Sequence, residues 1–281
     1  MTIVQEAFHL PVDDGGRCLA VYRAPHADAR AAMLHLPAFG DEMNKARAMT
    51  ARAARAFAEA GIAVLHVDWQ GCGDSTGDHR DATLAQWAAN ARAALAWLHA
   101  RHPDGSSPWL WALRAGALVA ASLIESRSDV PLLLWQPVVS GRQYLNQLLR
   151  LKTAGAWASA RGEASSTRAL RARLASGEVL EIGGYDVSPA LADEIEAATF
   201  ALPVEQAAPV VWLEVSSSAH ASLSAVATAA ARGASVKAKA IAGPGFWQSV
   251  EIERCDELIA QSSSLVAQSL DAVRGAGAVL R

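Results

Sequence analysis

Sulfur, net charge and long apolar runs are all scarce in this sequence of 281 residues. Cysteine occurs three times, at positions 18, 72 and 255, with no Cys-x-x-Cys spacing. Three thiols cannot all pair, so a disulfide framework is excluded and a reducing, cytoplasmic setting is expected. The charges nearly cancel, 25 Lys and Arg against 28 Asp and Glu giving −3. This leaves no basic footprint for nucleic acid and points to a small-molecule or protein partner. No apolar run approaches the roughly 20 residues of a bilayer span; Ala115 to Ile124 is half of that. The opening stretch MTIVQEAFHLPVDD is acidic and lacks a basic region followed by an apolar one, so no secretory signal is expected. What is abundant is apolar surface: 52% of residues are hydrophobic and only 19% charged, which excludes a disordered chain. The mean hydropathy of +0.14 owes much to alanine, a helix former.

Length alone allows about two domains, or one with an insertion. Periodicity decides between them. Two apolar runs, Ile3 to Leu10 and Arg17 to Ala24, flank Asp13-Asp14-Gly15-Gly16 and read as an antiparallel hairpin. Strands at Ala31 to Leu36, Ile62 to Asp68, Pro108 to Ala112 and Leu132 to Trp135 then alternate with helices near Asp41 to Ala60, Ala82 to Arg101 and Ala115 to Ser126. Such alternation predicts a mostly parallel sheet of about eight strands with helices on both faces. From Gly141 to Glu205 the pattern turns mainly helical and more polar, as an insertion would. Alternation resumes with strands at Val210 to Val215 and Val236 to Ile241, a helix near Ala219 to Arg232 and a closing helix near Ile252 to Val273. The expected organisation is a core of 1–140 and 206–281 carrying a cap of 141–205.

In an open α/β sheet, ligands bind outside the carboxyl ends of the strands. Four loops there stand out: Leu36 to Lys45, Trp69 to Asp78, Trp111 to Ala117 and Gly243 to Gln248. The run Asp68-x-x-Gly71-x-Gly73-x-Ser75 and the small-residue setting of Ala112-Leu113-Arg114-Ala115-Gly116 after a short strand resemble an α/β-hydrolase. The resemblance covers nearly the whole chain. More narrowly, PAFGDEMNKARAM, DWQGCGDSTGD, WLWALRAGA, LLWQPVVSGRQYLNQLLRLK and FWQSVEIE are similar to the exosortase A system-associated hydrolase 2 group. Members of that group are encoded beside bacterial PEP-CTERM protein-sorting and exopolysaccharide genes. The resemblance implies an α/β-hydrolase fold with a helical cap, and hydrolysis of an ester, thioester or related acyl substrate.

The chain departs from that family at its centre. A hydrolase of this fold presents its nucleophile on a strained strand-to-helix turn, and Arg114 stands there. A guanidinium stays protonated and is no nucleophile. No His follows the last strand at Gly243-Pro244-Gly245-Phe246-Trp247, so the usual triad is absent. Arg114 and Glu42 remain as catalytic candidates, Glu42 either pairing with Arg114 or acting as base on water. Phe39 and Gly40, through backbone N–H groups, and Asn44, Lys45, Cys72, Phe246 and Trp247 are candidates for contacting substrate, with Cys72 and Ser75 as fallback nucleophiles. Asp68, His35, His66 and His99 are explained by structural roles, while His220, the one histidine in a loop at the functional end, is explained equally by a helix N-terminal position. No spacing suggests a metal or a dinucleotide site, so no cofactor is expected. A small-molecule, anionic acyl ligand is the expected partner, a homodimer being one arrangement left open. The competing reading is a catalytically inactive relative that binds an anionic ligand or a partner protein.

Overall fold

A computed structural model describes residues 2–13, 15–103, 106–125, 127–158, 166–218, 220–233 and 235–279, the side chains of 154–158 and 274–279 excepted. Asp14 of the expected hairpin turn, Ser126 at an expected helix end and Ala219 at an expected helix start lie outside the described residues. Strands β1 (Ile3–Pro11) and β2 (Arg17–Pro25) form the antiparallel hairpin. Strands β3 (Ala31–Leu36), β4 (Ile62–Val67), β5 (Trp109–Leu113) and β6 (Leu132–Trp135) run parallel and almost wholly buried, as continuous apolar runs require when helices cover both faces. With β9 (Val210–Ser216) and β10 (Val236–Ala242) they complete one eight-stranded sheet in the order β1-β2-β4-β3-β5-β6-β9-β10.

Period-two alternation splits the core in two. Met33, Val64, Trp111, Trp135 and Leu213 point to one face, beneath α1 (Asp41–Glu59) and α8 (Asp256–Val279). Leu34, Leu65, Ala112, Leu134 and Trp212 point to the other, beneath α2 (Leu84–Arg101) and α3 (Gly116–Ile124). Among the described residues no helix is long and apolar enough to cross a membrane.

The described residues between β6 and β9 stand outside this sheet. They hold α4 (Gly141–Ala158), α5 (Thr167–Ala175) and α6 (Pro189–Ala197), and also a hairpin, β7 (Leu180–Ile182) with β8 (Tyr185–Val187). The mainly helical expectation missed the hairpin, because strands of three residues are too short to show a period. Gly183 and Gly184 make its turn with φ of 60° and 84°, conformations open to glycine. Two other expectations shorten: α7 spans only Ala225–Ala230, capped by the Ser224 hydroxyl, and α8 begins at Asp256 rather than Ile252.

Two turns at the carboxyl ends of the strands are pressed together. A Cβ on Gly116 would lie 2.1 Å from the Leu36 carbonyl oxygen, so only glycine lets α3 start against the loop that follows β3. That loop ends at Gly40, whose φ of 64° turns the chain into α1. Asp41 and Glu42 fill the first turn, where the helix dipole favours acids.

Below this end of the sheet, His35 and His66 pack ring to ring at 4.6 Å beside Trp111. The His35 Nδ1–H donates to the Trp111 carbonyl at 3.1 Å, while neither nitrogen of His66 has a partner among the described residues. Burial pulls His35 down to about 3 and His66 well below its ordinary value. Both are therefore neutral when folded and protonate readily only when unfolded. Their contribution to stability is complete above pH 6.5 and is lost as pH falls below it. Urea unfolding should show stability level between pH 7 and 8, then declining between pH 6.5 and 5 by about 1.4 kcal/mol per pH unit for each such histidine. His66→Leu should flatten that limb; a wild-type limb with no slope would refute the assignment.

Candidate functional site

The turn from β5 into α3 carries the centre of the site. Leu113 ends a buried strand, Gly116 opens the helix, and between them Arg114 adopts φ +52°. A non-glycine residue there is strained, and such strain gathers at functional sites. The turn is fixed by its own backbone: the Arg114 N–H donates to the Trp135 carbonyl at 3.0 Å, and its carbonyl accepts from Ala117 and Val138.

The Arg114 side chain rises toward α1. Its Nε and Nη2 both donate to Glu42 Oε1, at 3.1 and 2.9 Å, and both side chains are 14% exposed. The other oxygen of Glu42 accepts the Tyr144 hydroxyl at 3.1 Å, and Tyr144 belongs to α4. Burial, and then the Glu42 charge, hold the Tyr144 phenol far above its ordinary range, so it stays a donor. The guanidinium carbon lies 5.8 Å from the Tyr144 ring centre and 5.4 Å from that of Trp247, a cation held between two aromatic faces. Nη1 has no partner among the described residues.

Above this cluster lies a cavity of about 1240 Å³. The core supplies Phe39, Gly40, Glu42, Lys45, Arg114 and Trp247 to its wall, and α4 supplies Tyr144, Gln147, Leu148 and Leu151 at i, i+3, i+4 and i+7. Lys45 pairs with Asp41 at 2.7 Å. The β7–β8 hairpin closes one side through Asn44 to the Tyr185 hydroxyl, Arg80 to Asp186 at 2.9 Å and His79 Nδ1–H to the Asp186 carbonyl at 2.8 Å. Lys152 of α4 reaches the Glu181 carbonyl at 2.5 Å. The backbone N–H groups of Phe39 and Ala115, on the two pressed turns, have no partner among the described residues.

Of the nine residues singled out from sequence, Phe39, Gly40, Glu42, Lys45, Arg114 and Trp247 thus converge on one cavity. Three do not. Asn44 faces outward and holds the hairpin through Tyr185. Phe246 is buried behind Trp247, stacked edge-on at 5.1 Å. Cys72 is 1% exposed in the core and does not line the cavity, and burial followed by the Asp68 charge pushes its thiol up to about 12. It is a packed apolar residue, not a nucleophile. Ser75 is likewise committed, donating to the Asp68 carbonyl at 2.7 Å and accepting from the Leu19 N–H. Asp68 itself pairs with Arg47 at 2.9 Å.

Tyr144, Gln136 and His79 line the cavity and were missed in the sequence. Only Tyr144 left a signal, the helical stripe it begins. Among the described residues no group of three His, Cys, Asp or Glu is placed to hold a metal ion.

No protein-family model matches this sequence, and no curated protein matches it. Solved structures do. Est1E from Butyrivibrio proteoclasticus, with ferulic acid bound, superposes with a TM-score of 0.64 at 12% identity, covering 94% of this chain and all of that one. The α/β hydrolase GrgF from Penicillium sp. sh18 gives 0.58 at 16%, covering 96% and 97%. An esterase from Pyrococcus furiosus gives 0.58 at 11%, covering 95% and 92%. This chain has the α/β-hydrolase fold. In an α/β-hydrolase fold the turn after β5 and the loop after β3 sit at the ligand-binding end of the sheet, which is where the Arg114 cluster lies.

Glu42 is the acid that makes a buried guanidinium tolerable. Glu42→Ala should lower the unfolding free energy by about 3 kcal/mol, with Arg114→Met costing less, in urea titrations. Cys72 should react with a maleimide at pH 8 no faster than the protein unfolds; rapid labelling of the native protein would contradict its placement.

Proposed function

We propose that this α/β-hydrolase-fold protein takes an acyl compound bearing a negative charge and hydrolyses its ester, thioester or related acyl bond. Arg114 stands in place of the nucleophilic serine. The observation that carries the reading is the strained turn that aims a paired guanidinium into the cavity, flanked by the free N–H groups of Phe39 and Ala115. A cation and backbone donors converging on one space favour an acyl oxygen or a carboxylate there.

In this reading water replaces the serine. Glu42 receives three donors on two oxygens and so keeps a lone pair for a water proton. As water attacks the acyl carbon, Glu42 takes the proton and the new oxyanion is met by the Phe39 and Ala115 N–H groups. Collapse expels the alkoxide or thiolate, which takes the proton back. Lys45 and Trp247 line the substrate's path, and 141–205 acts as the cap that selects it. The sequence stretches that resemble the exosortase A-associated hydrolase 2 group carry the reading on to bacterial protein sorting and exopolysaccharide export.

A second reading is favoured by the same pair. With Glu42 held by Arg114 and Tyr144, the site suits a protein that binds the anion without turning it over. Purified protein offered short and long p-nitrophenyl esters and acyl thioesters separates the two. Turnover that falls at least about 100-fold in Glu42→Gln supports hydrolysis through Glu42. Turnover unchanged in both Glu42→Gln and Arg114→Ala would sink the assignment. Binding of an acyl carboxylate without any turnover would establish the second reading.

A further inference from the structure

Among the described residues only two that are not glycine have positive φ: Arg114 at +52° and Gln136 at +45°. They are neighbours. Leu113 pairs with Trp135 in the β5–β6 ladder, so Arg114 and Gln136 are the next residues on adjacent parallel strands. The two turns are hydrogen-bonded together, Arg114 N–H to the Trp135 carbonyl and Val138 N–H to the Arg114 carbonyl, each at 3.0 Å. Both residues line the same cavity. At Gln136 the conformation is the more surprising because Pro137 follows, and a residue before proline is pushed toward extended backbone.

The side chain of Gln136 is oriented by a bond that leaves no ambiguity. Its carboxamide oxygen accepts the Val215 N–H at 2.7 Å, and a backbone N–H can only donate. The amide NH2 is therefore the free end, without a partner among the described residues. A glycine would fit this turn without strain. What a glutamine adds is a bond to Val215 and a pair of N–H donors on the wall of the cavity that Arg114 also lines.

We infer that Gln136 is a specificity-determining residue, pairing with Arg114 to read the two oxygens of a ligand carboxylate. This deepens the proposed function and rests on its placement of the negative charge at Arg114. Two planar donor groups carried on adjacent turns and lining one cavity suit the planar, two-oxygen edge of a carboxylate better than a tetrahedral phosphate. Glu42 already occupies Nε and Nη2, so the ligand takes Nη1 and the Gln136 amide. The cavity walls next to this floor include Leu148, Leu170, Ile182, Leu191 and Val215. An acid with an apolar chain fits such walls. The ligand class is thus an amphiphilic monocarboxylate, either the substrate's own acid group or the acid released on hydrolysis.

The test is calorimetric titration of the full chain with octanoate, octanol and octyl phosphate. Wild type should bind octanoate at least about tenfold more tightly than either of the others. Gln136→Glu keeps the shape and the acceptor for Val215 but turns the donor end into a second oxygen, and should abolish that preference. Gln136→Gly guards against misfolding: its thermal midpoint should equal or exceed that of wild type, with the octanoate preference lost. If Arg114→Met loses octanoate while both Gln136 variants bind as wild type, the inference is overturned and the charge at Arg114 stands. If wild type prefers octyl phosphate, the carboxylate assignment falls; if it favours neither anion over octanol, the proposed function falls with it.

Discussion

A guanidinium cannot be buried alone, and the arrangement at the carboxyl ends of the strands follows from how Arg114 is compensated. Glu42 neutralises it from the first turn of α1, Tyr144 reaches down from α4 to the same carboxylate, and Trp247 closes the remaining face. Three segments far apart in sequence meet at one charge. Glu42 can reach it only because Gly40 turns the chain and Gly116, lacking a Cβ, lets the two turns touch. The stretch between β6 and β9 is tied to the sheet by the same network, since Tyr144 belongs to it.

That compensation leaves an asymmetric site. Nε and Nη2 are spent on Glu42, while Nη1 and the Gln136 amide remain for something else. Unpaired donors on a cavity wall set the local field more than overall charge does, because a nearly neutral protein can still present a locally positive edge. The balanced composition of the chain is therefore compatible with unpaired donors gathered on one cavity wall.

Much of the fold was legible because buried parallel strands are written as uninterrupted apolar runs: Ala31–Leu36 and Leu132–Trp135 match to the residue. Arg114 was legible because small residues flank it in a strand-to-helix turn. Gln136 was not, since nothing in a glutamine before proline announces positive φ, and the proline argues against it. His79 and the β7–β8 hairpin escaped because a contact across 107 residues leaves no mark in local sequence. Cys72 and Phe246 were misplaced for a related reason: position in a loop at the right end of the sheet does not say whether a side chain turns toward the cavity or into the core.

The β7–β8 hairpin pairs only with itself and shares no ladder with the central sheet. Its links to the rest, through Asn44, His79, Arg80 and Lys152, are few, and the Arg80–Asp186 pair is one for which water competes readily. It contributes nothing to the eight-stranded ladder, yet Leu180, Ile182 and Val187 anchor it in the same apolar core. The wall it forms is therefore shaped by side-chain contacts alone, and its sequence can vary without disturbing the hydrogen-bond register of the central sheet.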